Sequence, residues 1–305
     1  MSGPVVSGPV VSGAVVPPAV DVLVPTKDRP VELATTLAGL AAQAGTDGPS
    51  FRVVVSDQSG PADGDQQDGT GTASFDTPSA ASMVRVLRHR GVPVELHRHL
   101  PRRGIAEHRA FLLSCAQADA VLFLDDDVWL EPGVLARLHT ALRTLRCGLV
   151  AAAMQGLSHV DDDRPAERAH YAEWSDGVRP ERIEKDSPAW ERWRLGNAAN
   201  GVHLAESLGL DARGGPVPAA STWRAHRIAW AAGCVLFDRG ALLEVGGFDF
   251  WREVPANAHG EDVLVQQRVM SRRGGAGILP SGAYHQESAT TLPDRGRSAV
   301  DLRPL

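Results

Sequence analysis

The sequence predicts an α/β fold with a mostly parallel central sheet flanked by helices, and three observations carry that prediction. Val121-Leu122-Phe123-Leu124 is an unbroken apolar run of strand length, as expected of a strand covered on both faces. The run ends in Asp125-Asp126-Asp127, which places carboxylates at the C-terminal end of a strand, where open α/β sheets bind ligands. From Asp21 to Ala153, apolar strand-like runs alternate with stretches of helical periodicity, the pattern of strands joined by crossover helices.

Each element follows from local pattern. Asp21–Val24 is a short strand, and Pro25-Thr26-Lys27-Asp28-Arg29 is a turn before a helix that opens near Pro30, with Leu33, Leu37 and Leu40 as its buried stripe. Phe51–Val55 is the second strand, ending in Ser56-Asp57-Gln58-Ser59. Residues 60–82 are rich in Gly, Asp, Gln, Ser and Thr and read as a disordered insertion. Either Val84–Leu87 or Val92–Leu96 supplies a third strand, and Gly104-Ile105-Ala106-Glu107-His108-Arg109 starts a helix reaching about Ala116. Arg109 faces either a cleft or solvent, the solvated place being usual for an isolated Arg. After the acidic strand end, Pro132 opens a helix with Val134, Leu135, Leu138, Leu142 and Leu145 on one face; Gly148 ends it, and Leu149–Ala153 is a further strand.

Periodicity fades from Gln155 to about Ala229, where Trp174, Trp190, Trp193 and Trp223 stand among many charges and Gly214-Gly215-Pro216 punctuates the chain. The indoles either stack on a ligand or anchor the segment to the main body. Regular structure returns with the strand Ala231–Phe237. Asp238 then caps a helix over Arg239–Val245, and a longer helix follows His259-Gly260-Glu261-Asp262. Gly277–Leu279 is a last strand, with Tyr284-His285 just beyond.

Composition narrows the function. The chain has 305 residues, enough for one large domain or two small ones, and 43% hydrophobic and 22% charged residues place it among globular proteins. A formal net charge of −6 and the lack of a basic run argue against a nucleic-acid partner. Cys115, Cys147 and Cys234 lie far apart in or beside apolar segments, as free thiols of a reducing compartment do. The first eighteen residues nearly repeat Ser-Gly-Pro-Val-Val and read as a disordered tail, not a signal peptide. No run approaches transmembrane length, so the expected location is cytoplasmic, with peripheral attachment at a membrane left open.

Three adjacent carboxylates without a Lys or Arg beside them in sequence repel one another, which raises their pKa values or calls for a cation. The cluster is either a turn or helix cap or a site for a hard divalent ion. Glu261 and Asp262 fall in the first turn of a helix, where the backbone dipole favours anions by ~0.3–1 kcal/mol; that alone accounts for acidic residues, but a positioned carboxylate there also suits a general base. A lone His such as His285 is usually structural, although imidazole beside carboxylate suits Mn²⁺ and related ions.

The order of these motifs resembles family 2 glycosyltransferases: strand-Pro25-Thr26, Asp57 at the second strand end, Gly104 to Arg109 before Phe-Leu-Asp-Asp-Asp, Ala-Gly-Cys before Gly-Gly-Phe-Asp, then Gly-Glu-Asp. The resemblance spans about Asp21 to His285 and is weakest between Gln155 and Ala229. It implies a GT-A fold, Rossmann-like, with a nucleotide-sugar-binding half over 19–154, an acceptor-binding half over 155–290 and a tail from 291 to 305. It further implies that Pro25, Thr26, Asp57, Arg109, Asp125 and Asp126 surround a nucleotide-diphosphate sugar, UDP-linked as the first expectation. Asp125, Asp127 and His285 would serve a Mn²⁺ or Mg²⁺ ion, Asp262 would be the base that deprotonates an acceptor hydroxyl, and Glu261 would hydrogen-bond the acceptor. Two departures stand out: the family's Arg-Asn pair is Arg109-Ala110 here, and the second strand ends Asp57-Gln58-Ser59 where the family often has two acidic residues.

The implied reaction is metal-dependent transfer with inversion. The cation would neutralise the departing diphosphate while Asp262 acts from the opposite face of the sugar. Two other functions stay in view. A sugar-nucleotide nucleotidyltransferase would need a Gly-rich loop after the first strand, and Pro25–Pro30 has no glycine. A non-catalytic nucleotide-sugar or carbohydrate-binding protein would have no use for an ionised base. The glycosyltransferase reading requires the two acidic clusters to meet at one cavity large enough for a nucleotide sugar.

Overall fold

The computed structural model describes residues 18–45, 48–60, 71–210, 223–290 and 296–303. β1 (Val20–Thr26), α1 (Pro30–Ala41), β2 (Phe51–Asp57), α2 (Pro78–His89), β3 (Val94–Arg98), α3 (Ile105–Cys115) and β4 (Ala120–Leu124) alternate, as the sequence predicts for all of them except α2. β5 (Val128–Leu130), α4 (Val134–Leu145) and β6 (Leu149–Ala151) follow. The second half adds α5 (Pro165–Arg168), α6 (Asn200–Ser207), β7 (Arg224–His226), β8 (Cys234–Asp238), α7 (Arg239–Glu244), α8 (Glu261–Arg273), β9 (Gly275–Leu279), β10 (Ala283–His285) and α9 (Ala299–Leu302).

Eight strands form one sheet in the order β3-β2-β1-β4-β8-β6-β9-β7, continuous across both halves. β3, β2, β1 and β4 run parallel, as do β6 and β9, whereas β8 is antiparallel to β4 and β6 and β7 is antiparallel to β9. The unbroken apolar run of β4 has its reason here: Leu122 and Leu124 pack into one core while Val121 and Phe123 pack into the core on the other face. A separate two-stranded antiparallel sheet pairs β10 with β5, setting Tyr284 opposite Trp129 and His285 opposite Val128. Asp238 caps α7 as expected, its Oδ1 accepting from Ala241 N at 2.8 Å.

Several expectations need correction. Val84–Leu87 is helical, because Pro78 starts α2 and Ala80, Val84 and Leu87 bury at helical spacing; the third strand is Val94–Arg98. The expected disordered stretch 60–82 therefore narrows from its C-terminal side, where Ser74–Asp76 form a 3-10 turn ahead of α2; residues 61–70 lie outside the described residues. The described residues of the 155–229 stretch form short helices, turns and the strand β7; Leu195, Val202, Leu204 and Ala205 form a small third core with Leu279. Gly214-Gly215-Pro216 lies outside the described residues. Of the four tryptophans there, Trp174 and Trp223 pack on one main core and Trp190 and Trp193 on the other, so they anchor the segment. In the expected C-terminal tail, α9 buries Ala299, whose N–H donates to His259 O at 2.7 Å and ties the segment to the approach to α8. The three cysteines are free, Cys147 and Cys234 buried and Cys115 half-buried. No described helix is long and apolar enough to cross a membrane.

Candidate active site

Two loops bring the acidic clusters together. β4 delivers Asp125 at the sheet's C-terminal edge, where its N–H donates to Gly233 O at 2.9 Å just before β8. Gly233 is required at that contact: its φ is +77°, and a Cβ there would lie 2.6 Å from Met154 Sδ. Gly233→Ala is expected to cost about 1–3 kcal/mol of stability, read from the denaturant midpoint. Gly260, also left-handed at φ +73°, turns the chain into α8 and sets Glu261 and Asp262 in its first turn.

Arg109 joins the two ends. It is buried on α3, donating from Nε to Glu261 Oε1 and from Nη2 to Asp125 Oδ1, each at 2.8 Å, with its guanidinium over the Phe123 ring at 5.6 Å. Burial alone would lower its pKa, but Asp125, Glu261 and Asp262 around it raise it. The cleft-facing placement thus holds, and the solvated one does not. Glu261, expected to meet the acceptor, accepts from Arg109 through Oε1. Asp262 lines a pocket with Arg109, Asp125, Phe123, Phe248 and Gln266. Desolvation there, with Glu261 alongside, pushes its carboxyl up to about 7 against the pull of Arg109.

The clusters meet, but not at the expected large cavity: the enclosed space between them is about 10 Å³, close to one water. The larger opening is a groove of about 750 Å³ that reaches His285 and Gln286. Trp129 and Tyr284, stacked at 6.0 Å, line it with Leu157, Val160 and Val202.

The other two carboxylates of the triplet have separate partners. Asp126 Oδ2 accepts from Thr26 Oγ1 at 2.7 Å, and its backbone O accepts from Thr36 Oγ1 at 2.7 Å, which pins the triplet to β1 and α1. Burial and then Asp127 and Asp125 raise Asp126 to about 7, although Thr26 and Arg29 pull the other way. Asp127 is also buried, yet His285 and Arg29 hold it below the ordinary carboxylate value. His285 Nε2 lies 3.2 Å from Asp127 Oδ2; this hydrogen bond raises the imidazole pKa against burial. The repulsion inferred from sequence is real, but Arg29 and Arg109 answer it from distant positions.

Asp57 is fully buried and receives the Ser59 and Ser74 amides, the latter at 2.5 Å, so it organises the loop after β2. Pro25 lies within β1 and pairs with Ser56 of β2 beside it.

The residues fit a divalent ion in part. Carboxylate and imidazole are a donor set for Mn²⁺, and the 3.2 Å between Asp127 Oδ2 and His285 Nε2 is close to the ~3.0 Å between neighbouring ligands on an octahedral ion. Asp125 is committed to Arg109, and among the described residues no group of three His, Cys, Asp or Glu side chains gathers for an ion. Substrate oxygens and water would have to complete the shell, as hard ions bound by few protein ligands require.

Two residues of the site, Arg29 in the turn after β1 and Trp129, are not marked as functional by the sequence pattern. The available signal for Arg29 was its position in the loop after β1, at the same sheet edge as the acidic triplet.

A family model described as glycosyl transferase family 2 matches residues 21–187. No curated protein matches the sequence. Among solved structures, S. aureus TarS is similar at 17% identity and TM-score 0.47, over 87% of this chain and 36% of that one. TarS 1-349 in complex with UDP-GlcNAc is similar at 14% identity and TM-score 0.47, over 90% and 60%. Mannosyltransferase PcManGT from Pyrobaculum calidifontis, in complex with GDP-Man and Mn²⁺, is similar at 16% identity and TM-score 0.45, over 86% and 57%. The chain spans 36% to 60% of the length of these chains.

Proposed function

The chain belongs to glycosyl transferase family 2, and from that premise we propose that it moves a sugar from a nucleotide-diphosphate sugar to an acceptor hydroxyl, inverting the anomeric carbon. The observation that carries this reading is Arg109, which ties the β4 end of residues 19–154 to the α8 start of residues 155–290 and leaves Asp262 on the shared pocket.

The donor's nucleoside lies over the C-terminal ends of β1 and β2, against Pro25 and Thr26, with Asp57 holding the wall in shape. Its diphosphate lies near Asp127, His285 and Arg29. Asp127 and His285 would hold a Mn²⁺ or Mg²⁺ ion, whose charge would offset that of the departing phosphate. Arg109 fixes Asp125 at the sugar side. Asp262 takes the proton of the acceptor hydroxyl as that oxygen attacks the anomeric carbon and the bond to the diphosphate breaks. Orientation of the two substrates contributes through the lost freedom of a bimolecular encounter. The groove beside His285 takes the part of the acceptor beyond its reacting hydroxyl, because the Trp129–Tyr284 platform suits a sugar or aromatic face.

A thermal-shift series with UDP, GDP, ADP and CDP, with and without Mn²⁺, tests the proposal. One nucleotide is expected to raise the melting midpoint in the presence of Mn²⁺, since saturation a hundredfold above Kd adds about 2.7 kcal/mol. No shift with any of the four would overturn it.

A further inference from the structure

We propose that Arg29 is the resident counter-cation of the donor site: it holds Asp126 and Asp127 until a divalent ion and a nucleoside diphosphate arrive together, then yields Asp127 to the ion and turns to the phosphates. The inference rests on the proposed function for the identity of the nucleotide, but its metal arm stands apart from it.

The contacts carry the argument. Arg29 Nη1 donates to Asp127 Oδ2 at 2.5 Å and to Asp126 Oδ1 at 3.2 Å, while Nη2 donates to Ala289 O. Asp127 Oδ2 is the same atom that faces His285 Nε2. An ion set between Asp127 Oδ2 and His285 Nε2 would meet the guanidinium already on that oxygen, and their like charges oppose joint occupancy. Binding of the ion alone would take Asp127, the nearer of the two carboxylates on Arg29, and leave a cation beside a cation. A diphosphate removes that obstacle, since its oxygens complete the metal shell and offer Arg29 a planar, two-pronged anion partner. Metal and nucleotide should therefore enter as a pair, with affinities coupled through one side chain.

The position of Arg29 permits the transfer. Its backbone is fixed at the start of α1, where its carbonyl accepts from Leu33 N at 3.0 Å, so only the long side chain needs to move. The Ala289 contact gives the movement a second consequence. Gln286 Nε2 donates to Glu32 O at 3.1 Å, and Ser288 Oγ to Glu32 Oε1 at 3.0 Å, so residues 286–289 lie across the start of α1 with Arg29 holding their far end. When Arg29 turns away, that end is released on the side of the donor.

The test is a Mn²⁺ titration of the full chain followed by electron paramagnetic resonance, with and without UDP, for the wild type, Arg29→Gln and Arg29→Lys. UDP binding is measured separately by calorimetry. In the wild type, UDP is expected to tighten Mn²⁺ by a factor within the ~5–150-fold range usual for coupled sites. Arg29→Gln should bind Mn²⁺ alone at least about tenfold more tightly than the wild type, and UDP should then tighten it far less. Arg29→Lys, which keeps the charge but loses the second nitrogen that reaches Ala289 O and the planar fork for a diphosphate, should fall between and supplies the answer if Arg29→Gln does not fold. An Arg29→Gln protein with wild-type or weaker Mn²⁺ affinity would overturn the inference. So would a wild type that binds UDP yet shows no change in Mn²⁺ affinity. If UDP binds none of the proteins, the proposed donor fails, while the Mn²⁺ gain in Arg29→Gln still decides the role of Arg29.

Discussion

Asp262→Asn is expected to lower kcat for sugar transfer by a factor of ~10²–10⁴, the usual contribution of a positioned general base. Nucleoside-diphosphate affinity should change by less than about threefold, because the lost interaction exists only as the acceptor oxygen reacts. The amide keeps the shape of the carboxylate and its place in the first turn of α8 but cannot take a proton. Turnover near the wild-type value would remove Asp262 as the base. The wild type carries a second signature. Its base must be ionised, and desolvation with Glu261 alongside raises Asp262 from an ordinary 3.8 to about 7. The rate with saturating donor should therefore climb about tenfold per pH unit below that value and level off above it. Linkage has the opposite sign for stability. The native state holds this proton where the unfolded chain has lost it, so the group's contribution falls as pH rises from about 4 to about 7. Asp262→Asn removes that loss, and at pH 8 it should be at least as stable as the wild type by chemical denaturation.

Arg109→Met is expected to destabilise the protein by about 3–5 kcal/mol, the cost of removing one member of a buried ion pair and leaving its partner uncompensated. Here the abandoned partners are Asp125 and Glu261, with Asp262 close by. Methionine keeps most of the volume over Phe123, so the loss reports charge more than packing. It should shrink as pH falls, because the stranded carboxylates can then take up protons. Denaturant midpoints at pH 5 and pH 8 check this. A variant as stable as the wild type at pH 8 would mean that Arg109 does not tie the two halves together.

What the sequence disclosed and what it hid follow from range. β4 was legible because burial on both faces writes itself into consecutive residues, and the start of α8 because Gly260 and two acidic residues mark it locally. The fate of Arg109 was not legible, since its burial depends on Glu261, 152 positions away. Arg29 was hidden for the same reason, its carboxylate partners lying 97 and 98 positions on. The acidic triplet has no Lys or Arg beside it along the chain but has Arg29 and Arg109 against it in space. α2 was misread because Val84-Arg85-Val86-Leu87 carries as much β-branched character as helical spacing, and only packing of Ala80, Val84 and Leu87 decides it. The β5–β10 pairing escaped because each strand has three residues and the pairing crosses more than 150 positions. Asp57 entered as a nucleoside contact through the family resemblance; that two amides, of Ser59 and Ser74, engage its carboxylate had no signal in the sequence.

The central claim is that the β4 end and the α8 start serve one reaction in separate roles, donor binding and proton removal. Calorimetric titration of UDP with Mn²⁺ into Asp127→Asn and Asp262→Asn tests it most directly. The account predicts that Asp127→Asn weakens nucleotide binding at least about tenfold, as loss of a metal ligand does, while Asp262→Asn stays near wild type. Equal, undiminished binding by both variants would contradict it.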